Sequence, residues 1–335
     1  MSLLALRPPL SALRLVMMAT GYFAVPTFRL LLDRGYDVRL LVTQPDRPQG
    51  RHRELLAAET KRLAIERGIE VFQPESVNTP ESIERLAALA PDLLVVAAYG
   101  QILSESLLRV PRLGGVNLHA SLLPKYRGAA PINWAIYHGE SVTGVTVIRM
   151  SPFLDAGSIL LQAETRIAPD ETAGKLELRL ADLGAPLVME TIDGVAAGTL
   201  VGYKQDRSQA TRAPKLKKED GLIDWSRDAI AVCNQIRAMQ PWPMAFTFWH
   251  TQAGGPRERL IIEAAKPFGV LDADESGWTP GAIDLEAPKV AMMVKAARPT
   301  EVLIESLRPA GKSSMSAAEF RRGNHLQAGD RFGPP

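Results

Sequence analysis

Two residues in "GGVNLHASLLP" have the types and the spacing to do chemistry. Asn117 and His119 are two positions apart, so on a strand both side chains leave from the same face. A carboxamide is a good donor to a developing oxyanion. An imidazole moves protons near neutral pH. The pair lacks a carboxylate to orient the ring, and "GVTVIRMSPFLDAGSILLQ" offers one in Asp155, on a turn between two short apolar runs. Runs adjacent in sequence usually lie close in space, so that turn is expected to reach the pair. Amide, imidazole and carboxylate, with no serine or cysteine nucleophile, suit direct attack of an external amine on an activated acyl donor. The residues alone also admit a plainer reading. Asn117 could finish a strand, His119 could be a hydrogen-bonded core histidine, and Asp155 could form an Asx turn.

Other chemistries find no support. The single cysteine, Cys233, sits in the helical pattern "DAIAVCNQIRAM" and reads as a small core residue. It allows no disulfide within the chain and no cysteine metal site. The five histidines form no H-x-x-x-H pair, so no metal is expected. Neither G-x-G-x-x-G after the first strand nor a Walker loop occurs. The net charge of +2 excludes a polycation, so any nucleic-acid contact must come from a local patch.

The positioning elements are legible from Leu13 onward. "LRLVMMAT", "YDVRLLVT", "IEVFQ", "PDLLVVAAYG" and "GGVNLHA" read as strands. "FAVPTFRLLLDRG", "ELLAAETKRLAIERG", "TPESIERLAALA" and "PINWAIYHG" read as helices, the third with Thr79 as N-cap and Pro80 at its first position. Strand–helix alternation predicts an α/β fold with an open, mostly parallel, Rossmann-like sheet. Ligands of such sheets sit beyond the C-terminal strand ends, where Asn117 and His119 fall.

With 335 residues the chain is long enough for two domains. Residues 1–202 are expected as the catalytic domain, with 1–12 as an N-terminal extension. Residues 203–218, "YKQDRSQATRAPKLKK", carry six basic side chains against one acid and read as an exposed linker. Residues 219–335 open with a capped helix. Strands "ERLIIEAAKPF", "KVAMMVKA" and "EVLIESLRPAG" then predict a small β-barrel or sandwich, and "GDRFGPP" a frayed tail. No stretch approaches the roughly 18 apolar residues of a spanning helix.

At this point the residues become specific. "NLHASLLPKYRGAAPINWAI" with "LDAG" resembles the signature of formyltransferases that use 10-formyltetrahydrofolate. "VTQPDRPQGR", "VVAAYGQIL", "APKLKKEDGLIDWS", "NQIRAMQPWP" and "LRPAGKSSMSAAEF" are similar to the methionyl-tRNA formyltransferase branch, covering most of residues 13–323. The resemblance implies that Asn117, His119 and Asp155 are the catalytic trio. It implies that Ser121, Leu122, Leu123 and Pro124 form the folate-binding turn, and that Ala98, Tyr99 and Gly100 wall the pterin pocket. It implies an OB-like second domain that helps hold tRNA, with Arg51 in a basic loop near the acceptor stem. Lys215, Lys217 and Lys218 of the basic segment are the further tRNA contacts expected. The implied reaction moves a formyl group from 10-formyltetrahydrofolate to the α-amino group of methionine on initiator tRNA, in a cytoplasmic monomer. The alternatives are an amino-sugar nucleotide as acceptor, or water, which would make the protein a hydrolase. One departure is visible: Ala19-Thr20-Gly21 stands where the family usually has Gly-Thr-Pro.

Overall fold

The computed structural model describes residues 13–49, 54–55, 57–252, 258–269, 278–285 and 292–335. The N-terminal extension and Arg51 lie outside these residues. The strands are β1 Arg14–Ala19, β2 Asp37–Val42, β3 Pro48–Gln49, β4 Glu54–Leu55, β5 Val71–Phe72, β6 Leu93–Ala97, β7 Gly115–His119, β8 Arg127–Gly128, β9 Val142–Arg149, β10 Ile159–Arg166, β11 Arg212–Ala213, β12 Phe246–His250, β13 Glu258–Gly269, β14 Ile283–Asp284, β15 Met292–Lys295, β16 Thr300–Pro309, β17 Met315–Ser316 and β18 Arg331–Gly333. The helices are α1 Val25–Asp33, α2 Glu59–Glu66, α3 Pro80–Ala88, α4 Glu105–Leu108, α5 Pro131–Tyr137, α6 Ala173–Ala196, α7 Ala229–Ala238 and α8 Ala317–Asn324.

Packing divides the chain into two compact units. The first holds the described residues up to Pro131, with Val142–Arg166 and Leu176–Pro214. The second holds Ile132–Ser141, Ile167–Lys175 and Lys215–Pro335.

In the first unit seven strands run in the order β10-β9-β7-β6-β1-β2-β5. β5, β2, β1, β6 and β7 are mutually parallel, and β9 and β10 add an antiparallel edge. The chain leaves β1 toward β2 and β5, then returns to β6 on the other side. This reversal is the switch point at which open α/β sheets bind ligands. The apolar runs follow from coverage on both faces: all five residues of β6 are buried. Val16, Met18, Leu40, Val42, Leu94 and Val96 join Val77, Leu86 and Leu107 in one core cluster. Each such side chain stabilises the fold by about 1.5–3 kcal/mol on burial. At the opposite, N-terminal ends of β1 and β6 the strands are pinned by Asp92. Its carboxylate accepts from the Arg14 backbone N–H (3.0 Å), Arg14 Nε (3.3 Å) and Arg112 Nε (3.2 Å).

The helix expected from Glu54 starts at Glu59 instead. Glu54–Leu55 pairs antiparallel with Pro48–Gln49, and Ala58 is still extended (φ −56°, ψ 147°). Residues 203–214 belong to the first unit. Tyr203 exchanges backbone hydrogen bonds with Ile159 (2.9 Å each), and β11 lies parallel to β8.

In the second unit every strand pair is antiparallel, in the order β14-β15-β16-β13-β12-β18, with β17 beside β16. The ring closes on itself. Ala282, next to β14, bridges Arg331 of β18, and the Phe332 N–H donates to the Gly281 carbonyl at 2.7 Å. Gly281 permits this seam: its φ is +84°, and a Cβ there would sit 2.0 Å from the Phe332 carbonyl oxygen. The tail expected to fray is therefore the closing strand. Phe332 is 1% exposed, and its burial fixes the segment. α7 buries Val232, Cys233 and Ile236, with Asp228 as its N-cap. α8, not foreseen from sequence, carries a capping box between Ser316 and Glu319, for which S-x-x-E is the sequence signal.

Candidate active site

The site grows from the ends of three adjacent parallel strands. β1, β6 and β7 finish at Ala19, Ala97 and His119. On β7 the apolar Leu118 lies against α6, where a Cβ on Gly184 would come within 2.6 Å of its side chain. Alternation then sends Asn117 and His119 to the other face. The Asn117 carboxamide is partly exposed and makes no side-chain hydrogen bond to another described residue. It is a donor held at a strand end with nothing among the described residues to donate to.

His119 is 6% exposed. Its Nε2 lies 2.9 Å from the Tyr126 carbonyl, which can only accept, so this nitrogen carries a proton. Its Nδ1 faces Asp155 Oδ2 at 3.6 Å, an ion-pair separation too long for a hydrogen bond. Both ring nitrogens thus face acceptors, and a neutral ring can donate to only one of them. The Asp155 carboxylate is held on the same oxygen by the Gly128 N–H at 2.8 Å. The loop bearing Asp155 has to fold back to get there, because Arg149 at the end of β9 pairs with Val116, not His119. Asp155 makes the turn at φ +48°. Gly128 has φ +130°, and a Cβ on it would meet the Ala213 carbonyl oxygen at 2.3 Å, so β8 and β11 can pair only around glycine.

The 121–124 turn is bound to β9 and β10. Thr146 Oγ1 donates to the Ser121 carbonyl (2.6 Å) and accepts from the Leu123 N–H (3.1 Å). Gln162 Nε2 donates to the Leu123 carbonyl at 2.9 Å. Ser121 is buried, with its hydroxyl on the Lys125 carbonyl at 2.7 Å. Leu123 packs on Ile148 and Ile159, leaving Leu122 and Pro124 partly exposed. At β6, Ala98 and Gly100 are exposed with φ of +46° and +90°. Tyr99 between them turns its ring into the core, where burial raises its hydroxyl far above the usual phenol range and leaves it without a partner among the described residues. Backbone, not the Tyr99 ring, is what this loop presents. The Thr20 and Gly21 N–H groups both point to the Ala98 carbonyl (3.2 and 3.4 Å), and Thr20 Oγ1 donates to the Tyr99 carbonyl (3.1 Å). Proline in place of Gly21 would lack one of these donors.

The structure therefore gathers Asn117, His119, Asp155, 121–124 and 98–100 on one unit. Lys215, Lys217 and Lys218 are exposed on the second unit. Sequence reasoning missed Arg127, Thr146, Gln162 and Gln205. Thr146 had a signal, a hydroxyl inside the apolar run from Val145 to Ile148, and the others had none. Among the described residues no group of three His, Cys, Asp or Glu side chains is placed to hold a metal ion, and no helix is long and apolar enough to cross a membrane.

With this geometry in place, likeness to known proteins is informative. Residues 14–192 match the formyl transferase family model, and 215–325 match that of the formyl transferase C-terminal domain. The methionyl-tRNA formyltransferase of Geobacter sulfurreducens is 45% identical over 97% of this chain and 98% of its own length. That of Bacillus subtilis is 42% identical over 96% and 98%. Among solved structures, the N-formyltransferase from Helicobacter canadensis aligns with TM-score 0.64 at 16% identity, over 87% of this chain and 98% of its own. The sugar 3N-formyl transferase WlaRD gives 0.62 at 15%, over 90% and 99%. At such identities the two structures speak for the fold alone.

Proposed function

Since the chain belongs to the formyltransferase family, in its methionyl-tRNA formyltransferase branch, we propose that it moves the formyl group of 10-formyltetrahydrofolate onto the α-amino group of methionine esterified to initiator tRNA. The amine attacks the formyl carbon, and the new N–C bond forms as the carbonyl becomes an oxyanion. The C–N10 bond then breaks, and the proton lost by the amine ends on N10. A free α-amino group titrates at roughly 7.7, so much of it is neutral and nucleophilic at physiological pH.

The observation that carries this reading is the Asn117 carboxamide, unengaged among the described residues and two residues before a histidine set beside a carboxylate. Asn117 donates to the oxyanion, a contact worth about 3 kcal/mol in comparable holes. His119 and Asp155 pass the proton from the incoming amine toward N10, with the Tyr126 carbonyl and Gly128 N–H fixing their orientation. Backbone of 98–100 and the 121–124 turn hold the folate. Exposed Lys215, Lys217 and Lys218, with Arg51, take phosphates of the tRNA.

The test is one assay with 10-formyltetrahydrofolate and three acceptors: charged initiator tRNA, an amino-sugar nucleotide, and buffer alone. Formyl-methionyl-tRNA should form, with little transfer elsewhere. Transfer to the amino sugar, or formate release as the main reaction, would overturn the reading.

A further inference from the structure

Asp155 occupies the left-handed backbone region, which aspartate tolerates better than most residues but which still needs enforcement by its surroundings. One side chain supplies much of that enforcement. Gln205 Nε2 donates to the Asp155 carbonyl at 2.7 Å and to the Gly157 carbonyl at 2.8 Å. Its Oε1 accepts from Arg127 Nε at 3.1 Å and Nη2 at 2.5 Å. The four partners fix which way the amide points, because a flipped amide would set donors against the guanidinium and an oxygen against two carbonyls. Gln205 is itself suspended between two backbone anchors, the Tyr203–Ile159 bridge and the β8–β11 ladder. Arg127 and Gly128 thus grip Asp155 twice: Gly128 holds the carboxylate, and Arg127 works through Gln205 on the loop backbone.

We propose that Gln205, oriented by Arg127, is a positioning residue that sets the Asp155 carboxylate against His119. It touches the loop and not the reacting atoms. The proposal rests on the reading of Asp155 as part of the formyl-transfer machinery. It gives a duty to a segment that in sequence reads only as a basic linker.

Two variants separate its contacts. Gln205→Ala removes all four bonds, whereas Gln205→Glu keeps an acceptor for Arg127 and loses both donations to the loop. Each should lower single-turnover formyl transfer by on the order of tenfold to a hundredfold, the effect of a small misplacement. KM for both substrates should change by less than about twofold, as expected when binding is spared. Gln209→Ala, on the same segment, serves as the control with unchanged activity. In an Asp155→Asn background, Gln205→Ala should cost little more, because the route through which it acts is already gone. Wild-type rates in Gln205→Glu, or fully additive losses in the double variant, would overturn the proposal. Imidazole 1H–15N correlations of His119 in the ligand-free protein give a readout independent of any acceptor. They should shift in Gln205→Glu, and identical spectra would overturn the positioning role. Failure of wild-type protein to formylate methionyl-tRNA would instead strike the functional reading.

Discussion

The division of labour among a few side chains can be tested one residue at a time. His119→Ala and Asn117→Ala should each abolish most turnover while circular dichroism stays native, and near wild-type kcat in either would exclude the mechanism. Asp155→Asn should keep folate affinity and lose the chemical step, since an amide cannot support the charge of the imidazole or take its proton. Titration of folate by equilibrium binding, beside single-turnover rates, separates the two effects. Gly128→Ala should be harmful in both stability and rate. Its Cβ meets the Ala213 carbonyl oxygen, and its N–H holds Asp155. A loss of about 2 kcal/mol, typical of enforced backbone strain, should appear in denaturant unfolding together with a fall in kcat. The meeting of His119 with Asp155 was legible in sequence because spacing on a strand and a neighbouring turn suffice to suggest it. Gln205 was not. Its two donations reach the backbone of residues about fifty positions away, and backbone carbonyls leave no trace in residue identity.

At the level of elements, the parallel sheet followed from apolar runs alternating with capped helices. α3 begins as read, with Thr79 accepting from the Ser82 N–H and Pro80 at the first position. The start of α2 was misread because Glu54 and Leu55 suit a helix by propensity while strand pairing to Pro48–Gln49 decides the matter. The N-terminal ends of β1 and β6 give a test in pH. Burial alone would raise the Asp92 carboxyl, but the Arg14 N–H, the Arg14 guanidinium and Arg112 outweigh it and hold it below the usual carboxylate range. Its stabilisation is therefore fully present above the unfolded value near pH 4 and is lost as pH falls through the lower folded value. Asp92→Asn should cost about 1–3 kcal/mol at neutral pH, the range for charge-assisted bonds, and flatten the acid limb of a urea stability profile. On α7, burial pushes the Cys233 thiol up to about 12. An aromatic disulfide reagent should thus react with it only after denaturation.

For the whole molecule, charge is local rather than global. The chain carries +2, while 203–218 alone carries six bases and one acid. Affinity for tRNA should fall steeply with salt, and a Lys215/Lys217/Lys218 triple alanine variant should flatten the slope by somewhat under one unit for each phosphate it no longer neutralises. KM for the folate should not move, and unchanged tRNA kinetics at two salt concentrations would shift these phosphate-binding groups elsewhere. The second unit was readable as a β-rich barrel from its strands. Its last strand was not, because three residues followed by two prolines look like an end and only the seam with Gly281 reveals their partner. That seam has a biosynthetic consequence. β18 is the last of the described strands to leave the ribosome, and until it does, β12 and β14 each present a bare edge. A message truncated after β16 but before residue 331 therefore yields an adhesive product, open to pairing with other nascent chains, rather than a slightly weaker protein.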